Sequence, residues 1–93
     1  MGGVLTRLHF IVRGRVQGVG YRWFVRESAE RLRLSGWVGN RFDGTVEVEA
    51  EGEAAAIEEL AGLLRSGHPY AQVDAVEAKT IAARGGAKDF EIR

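Results

Sequence analysis

Polar and apolar residues along this chain fall into seven blocks, each with its own period. Residues 5–13 are β-branched and aromatic with a period near two; Leu8, Phe10 and Val12 share one face, which predicts a central strand. Beyond a glycine-rich turn, Tyr21, Phe24, Val25, Ala29 and Leu32 recur at helical spacing. Arg26–Glu30 and Glu27–Arg31 stand four apart on the opposite face, and the helix is expected to end near Leu34-Ser35-Gly36. Trp37-Val38-Gly39-Asn40 predicts a second strand, and Phe42-Asp43-Gly44 a hairpin turn in which Asp-Gly is the strong signal. Residues 45–51 alternate cleanly, with Val46, Val48 and Ala50 on one face and Thr45, Glu47, Glu49 and Glu51 on the other. Gly52 is expected to break that strand. Residues 53–66 predict a second amphipathic helix on Ile57, Leu60, Ala61 and Leu64, stopped by Gly67 and Pro69. Residues 73–81 predict a fourth strand whose alternation slips between Ala75 and Val76, the sign of a bulge. Residues 83–88 read as a loop, and Phe90 and Ile92 as a short last strand.

The order strand, helix, strand, strand, helix, strand, with one strand appended, implies two βαβ-type units joined through a hairpin. The expected fold is α+β: a ferredoxin-like α/β sandwich with an antiparallel-type sheet and both helices on one face. The 93 residues are expected to form a single domain over 1–93. Such an architecture carries no function by itself.

Composition narrows the chemistry. The chain has no cysteine, which excludes disulfide frameworks, thiolate metal sites and cysteine-based phosphatase chemistry. Its start lacks an apolar h-region, and no apolar run approaches membrane-spanning length. We therefore expect a cytoplasmic protein without membrane contact. Net charge is zero, but residues 1–41 carry eight arginines against Glu27 and Glu30, a net +6, and residues 42–93 carry the compensating −6. That asymmetry marks either an anionic partner for the basic half or two halves that interleave and pair in space.

The candidate chemistry lies in Gly14-Arg15-Val16-Gln17-Gly18-Val19-Gly20-Tyr21-Arg22. Its glycines allow backbone N–H groups to turn inward into an anion-binding nest, and the helix start adds free donors and a positive dipole end. A cation in that first turn opposes the dipole, so Arg22 makes sense with an anion between the two. The turn is not a Walker A loop, because Gly20 is followed by Tyr21-Arg22. Nor is it a dinucleotide fingerprint, because Trp23 occupies the third glycine's place. A phosphoryl group suits a loop this short.

These residues resemble the acylphosphatase family. Its first signature runs glycine, any residue, Val-Gln-Gly-Val, any residue, aromatic, arginine, and the stretch from Gly14 to Arg22 matches at every fixed position. A second signature is matched by Gly36-Trp37-Val38-Gly39-Asn40-Arg41-Phe42-Asp43-Gly44-Thr45-Val46, with Gly52 as its last glycine. The chain departs from the family at Gly39, where a longer, often basic side chain is usual.

The resemblance implies hydrolysis of the carboxyl–phosphate bond of acyl phosphates, with no metal and no cofactor. It makes Arg22 the phosphate-binding residue and Asn40 the residue that positions the attacking water. The backbone amides of Arg15, Val16, Gln17, Gly18, Val19 and Gly20 form the cradle. The implied partners are a small acyl phosphate, with inorganic phosphate as product and inhibitor; no nucleic acid is implied, and a monomer is expected. The residue types suit that chemistry. A carboxylate leaving group, whose conjugate acid has a pKa of about 4, needs no general acid. Fixed donors can meet the charge that spreads over the phosphoryl oxygens.

Taken singly, Arg22 reads as a surface arginine and Asn40 as a turn residue; their joint occurrence in two signatures changes that. Tyr21 is assigned to core packing and Gln17 to loop stabilisation. His9 and His68 receive no role, and the Glu47, Glu49, Glu51 row reads as a solvated strand face. No residue marks a selective pocket for the acyl group. Two other readings stand beside the enzyme. One is a non-catalytic acyl- or carbamoyl-phosphate-binding module. The other is a nucleic-acid-binding module, disfavoured by neutral charge and by the lack of paired exposed aromatics on a strand.

Overall fold

A computed structural model describes residues 5–86 and 89–93. The chain runs β1 (Thr6–Arg15), α1 (Tyr21–Arg31), β2 (Ser35–Asn40), β3 (Val46–Gly52), α2 (Ala54–Ser66), β4 (Gln72–Ile81) and β5 (Phe90–Ile92). The strands form one sheet in the order β4-β1-β3-β2-β5. Phe10, Val12, Val46, Val48, Ala50 and Val38 bury one face of it against Tyr21, Val25 and Ala29 of α1 and Ile57, Leu60 and Leu64 of α2. Both helices therefore cover the same face, and the alternation of apolar residues in the strands is what dictates it.

Four features of these elements differ from expectation. The first helix stops at Arg31, and Ser35 and Gly36 already belong to β2. Leu34 N–H donates to the Ala29 carbonyl at 2.9 Å and Arg33 N–H to that of Glu30 at 3.0 Å, with Arg33 left-handed at φ 59°. That is a Schellman closure, and the burial of Leu34 completes it. Gly52 does not break β3 but ends it, paired with Thr6. The β4 irregularity falls one residue early: Arg13 pairs with Ala75 and Gly14 with Val73, leaving Asp74 unpaired. Finally, β5 lies parallel to β2, so the sheet is mixed and only its first four strands are antiparallel. The reason is topological. β4 and β5 occupy opposite edges, so the connection crosses the sheet instead of turning back in a hairpin.

Glu51 anchors that crossing. Its carboxylate accepts the N–H groups of Arg84 at 2.7 Å and Gly85 at 2.8 Å. It also pairs with Arg7 at 3.2 Å, while Arg7 reaches Glu49 at 2.7 Å. Arg7 and Glu51 are 2% and 4% exposed, so this part of the glutamate row is a buried ion-pair network, not a solvated face. The two N–H donors hold the Glu51 carboxyl below the usual carboxylate range, with Arg7 adding to the effect. After α2, the turn is closed by His68, whose Nδ1 accepts N–H donors from Tyr70 and Ala71 at 3.1 Å each.

Candidate active site

The site is built where β1 gives way to α1. Gly18 and Gly20 are left-handed at φ 79° and 78°, and a Cβ on either would meet no atom within 4 Å. The glycines are therefore there for backbone conformation, not for lack of space. Two left-handed residues so close make the concave turn that a nest of N–H groups needs. Gly20 is the N-cap of α1 and offers no side-chain cap, so the first-turn donors stay available.

Gln17 ties this loop to the β2–β3 hairpin. Its Nε2 donates to the Arg41 carbonyl at 2.8 Å and the Thr45 carbonyl at 2.9 Å. The hairpin itself is closed by Asp43, whose Oδ1 accepts from Thr45 N–H at 3.0 Å and Thr45 Oγ1 at 2.6 Å. These bonds hold the Asp43 carboxyl below the usual range, with Arg41 and Arg13 assisting. Asn40 stands at the root of the same hairpin, at the end of β2. One side chain thus fixes the loop against the element that carries Asn40.

A small cavity of about 80 Å³ lies between them, lined by Val16, Gly18, Gly20, Tyr21, Arg22, Trp23 and Asn40. Of the residues expected to form the site, Val16, Gly18, Gly20, Arg22 and Asn40 meet there. Arg15, Gln17 and Val19 do not line it: Arg15 closes β1, Gln17 turns to the hairpin, and Val19 rests against the core. Tyr21 is buried, donates its hydroxyl to the Leu64 carbonyl at 2.7 Å, and has its ionisation pushed up by burial. It serves packing, as its place in the apolar stripe implied. A larger groove of about 540 Å³ shares Asn40 and continues along Arg41, Phe42, Asp43 and Glu47.

Arg22 is held from the far end of the chain. Its Nη1 donates to the main-chain oxygen of Arg93 at 3.1 Å. Arg93 is placed by its N–H bond to the Val38 carbonyl at 2.7 Å and by its guanidinium over the Trp37 ring at 4.7 Å. A Cβ at Gly39 would lie 3.4 Å from that Arg93 oxygen. That is an ordinary van der Waals contact, so position 39 lies against the main chain that holds Arg22, and a Cβ there would be accommodated. Nothing in the local sequence signals this contact, because its partners are 71 residues apart.

A ferredoxin-like α+β sandwich with a small cavity between its first strand–helix turn and its central hairpin is the class that these features define. The acylphosphatase family profile matches residues 8–92, and the chain belongs to that family, whose members are hydrolases acting on acid anhydrides. It is 51% identical over 87 residues to an acylphosphatase of Rubrobacter xylanophilus, covering 94% of this chain and 79% of the relative. It is 41% identical to an acylphosphatase of Geobacillus thermodenitrificans, covering 95% of this chain and 94% of that one. The crystal structure of acylphosphatase from Bacillus subtilis superposes with a TM-score of 0.90 at 38% identity, covering 97% of this chain and 99% of that one.

Proposed function

We propose that this small cavity hydrolyses acyl phosphates by direct, metal-independent attack of water. The carrying observation is that Arg22 and Asn40, from separate elements, face one cavity together with the left-handed glycines. The amides of the turn that line the cavity, at Val16, Gly18 and Gly20, and the α1 start grip the phosphoryl oxygens, and the Arg22 fork neutralises them through two N–H groups that lysine cannot copy. Asn40 holds the water in line with the leaving oxygen. The water oxygen forms a bond to phosphorus as the bond from phosphorus to the acyl oxygen breaks, and the electron pair leaves on the carboxylate. One water proton passes to a phosphoryl oxygen, so the products are a carboxylate and inorganic phosphate. Charge stabilisation and positioning supply the rate, since the leaving group needs no acid.

The chain acts in this reading as a cytoplasmic monomer. Among the described residues no helix is long and apolar enough to cross a membrane. Benzoyl phosphate turnover, followed optically in excess EDTA, tests the reading. Turnover should persist, inorganic phosphate should inhibit it competitively, and Arg22→Ala should weaken that inhibition. Activity lost on chelation and restored by a divalent ion would refute the mechanism, and phosphate binding without turnover would leave a binding module.

A further inference from the structure

Trp23 is 61% exposed, an unusual state for the bulkiest apolar side chain, and it lines the small cavity. Its indole is not loose: the Arg26 guanidinium stacks on it at 5.2 Å from the ring centroid, and Arg26 is in turn paired with Glu30 at 3.5 Å. An aromatic surface backed by Arg26 therefore stands open at the cavity mouth.

We infer that Trp23 is the platform for the acyl group and turns the enzyme toward acyl phosphates with an aromatic or extended apolar acyl part. The inference rests on the reading of the site proposed above. In-line displacement puts the attacking water and the leaving oxygen on opposite sides of phosphorus. With the water at Asn40, the acyl group must project away from Asn40, and so away from the larger groove of Arg41, Phe42, Asp43 and Glu47 that Asn40 borders. Elimination among the other lining residues is then short. Gly18 and Gly20 belong to the phosphoryl cradle and Arg22 to its charge, while Val16 and Tyr21 are each only 1% exposed. Trp23 alone among them offers a large exposed apolar face. Stacking a planar acyl group on an aromatic ring is favourable beyond the area it covers, and a two-carbon acyl group gains almost none of it.

The test compares kcat/KM for benzoyl phosphate and acetyl phosphate in the full chain and in three variants. Trp23→Ala should lower the benzoyl-to-acetyl ratio about tenfold, and Trp23→Phe should keep most of it. Phe42→Ala should leave the ratio within about twofold, although Phe42 is fully exposed and lines the larger groove. A ratio unchanged in Trp23→Ala, or one lost in Phe42→Ala instead, overturns the inference while leaving acyl-phosphate hydrolysis intact. Calorimetric binding of benzylphosphonate against inorganic phosphate decides the same point without turnover. The wild-type chain should prefer the aromatic anion and Trp23→Ala should lose that preference. If the wild-type chain hydrolyses neither substrate, the proposed function fails, and the binding comparison still decides the role of Trp23.

Discussion

Gln17 shows how much a single side chain contributes to this site. Its two bonds to the Arg41 and Thr45 carbonyls are what hold the glycine loop against the hairpin that carries Asn40. Gln17→Ala should therefore cost about 1–2 kcal/mol of stability, read by urea unfolding, and should also cut kcat/KM by roughly tenfold or more because the loop and Asn40 lose their register. Gln17→Glu should do as much harm, since a carboxylate cannot donate to either carbonyl. Wild-type kinetics in both variants would mean the link has no catalytic consequence. The glutamine was legible as part of a motif, but its partners were not, because they are 24 and 28 residues away. Trp23 is the opposite case. It was visible in the sequence only as a glycine's absence, and its exposure depends on where α1 meets the loop.

At the scale of elements, the periodic segments were legible because burial of one face enforces the period: Val46, Val48 and Ala50 are buried as alternation demands. Ends and edges were not. The close of α1 rests on Arg33 taking the left-handed conformation at φ 59° that glycine takes without strain. Arg33→Gly should therefore raise stability by about 1 kcal/mol, lifting Tm by several degrees without changing turnover. A lower Tm would show that the arginine side chain makes a contact worth more than the strain. The parallel course of β5 was equally hidden. Three residues carry no directional signal, and the bond from Gly36 N–H to the Asp89 carbonyl at 3.0 Å is tertiary.

Across the whole molecule, part of the charge asymmetry of the two halves resolves into pairing. Arg7 meets Glu49 and Glu51, Arg13 meets Glu77 at 2.7 Å, and Arg41 lies 3.8 Å from Glu47. Basic β1 lies between acidic β3 and β4 in the sheet, so interleaving accounts for part of the sequence asymmetry. The network also fixes an acid limit. Glu51 is held below the usual range by the Arg84 and Gly85 N–H groups and by Arg7, and Glu77 by Arg13. A carboxylate whose folded pKa is depressed stabilises the fold fully above its unfolded value of about 4, and that contribution is lost as pH falls through the folded value. Urea midpoints should thus stay level through neutral pH and fall below about pH 4. Glu51→Gln should cost about 3 kcal/mol at neutral pH, since Arg7 stays buried with only Glu49, and should make the acid limb shallower. An unchanged acid limb would place the titrating group elsewhere.

In the proposed mechanism Asn40 positions water while Arg22 and the loop bind phosphate. Steady-state hydrolysis of benzoyl phosphate by folded Asn40→Ala, with phosphate inhibition measured alongside, tests it most directly. With those roles, kcat should fall on the order of 10²-fold or more, with KM and the phosphate inhibition constant nearly unchanged. A near-normal kcat, or a loss that appears in KM and phosphate binding instead, would contradict it.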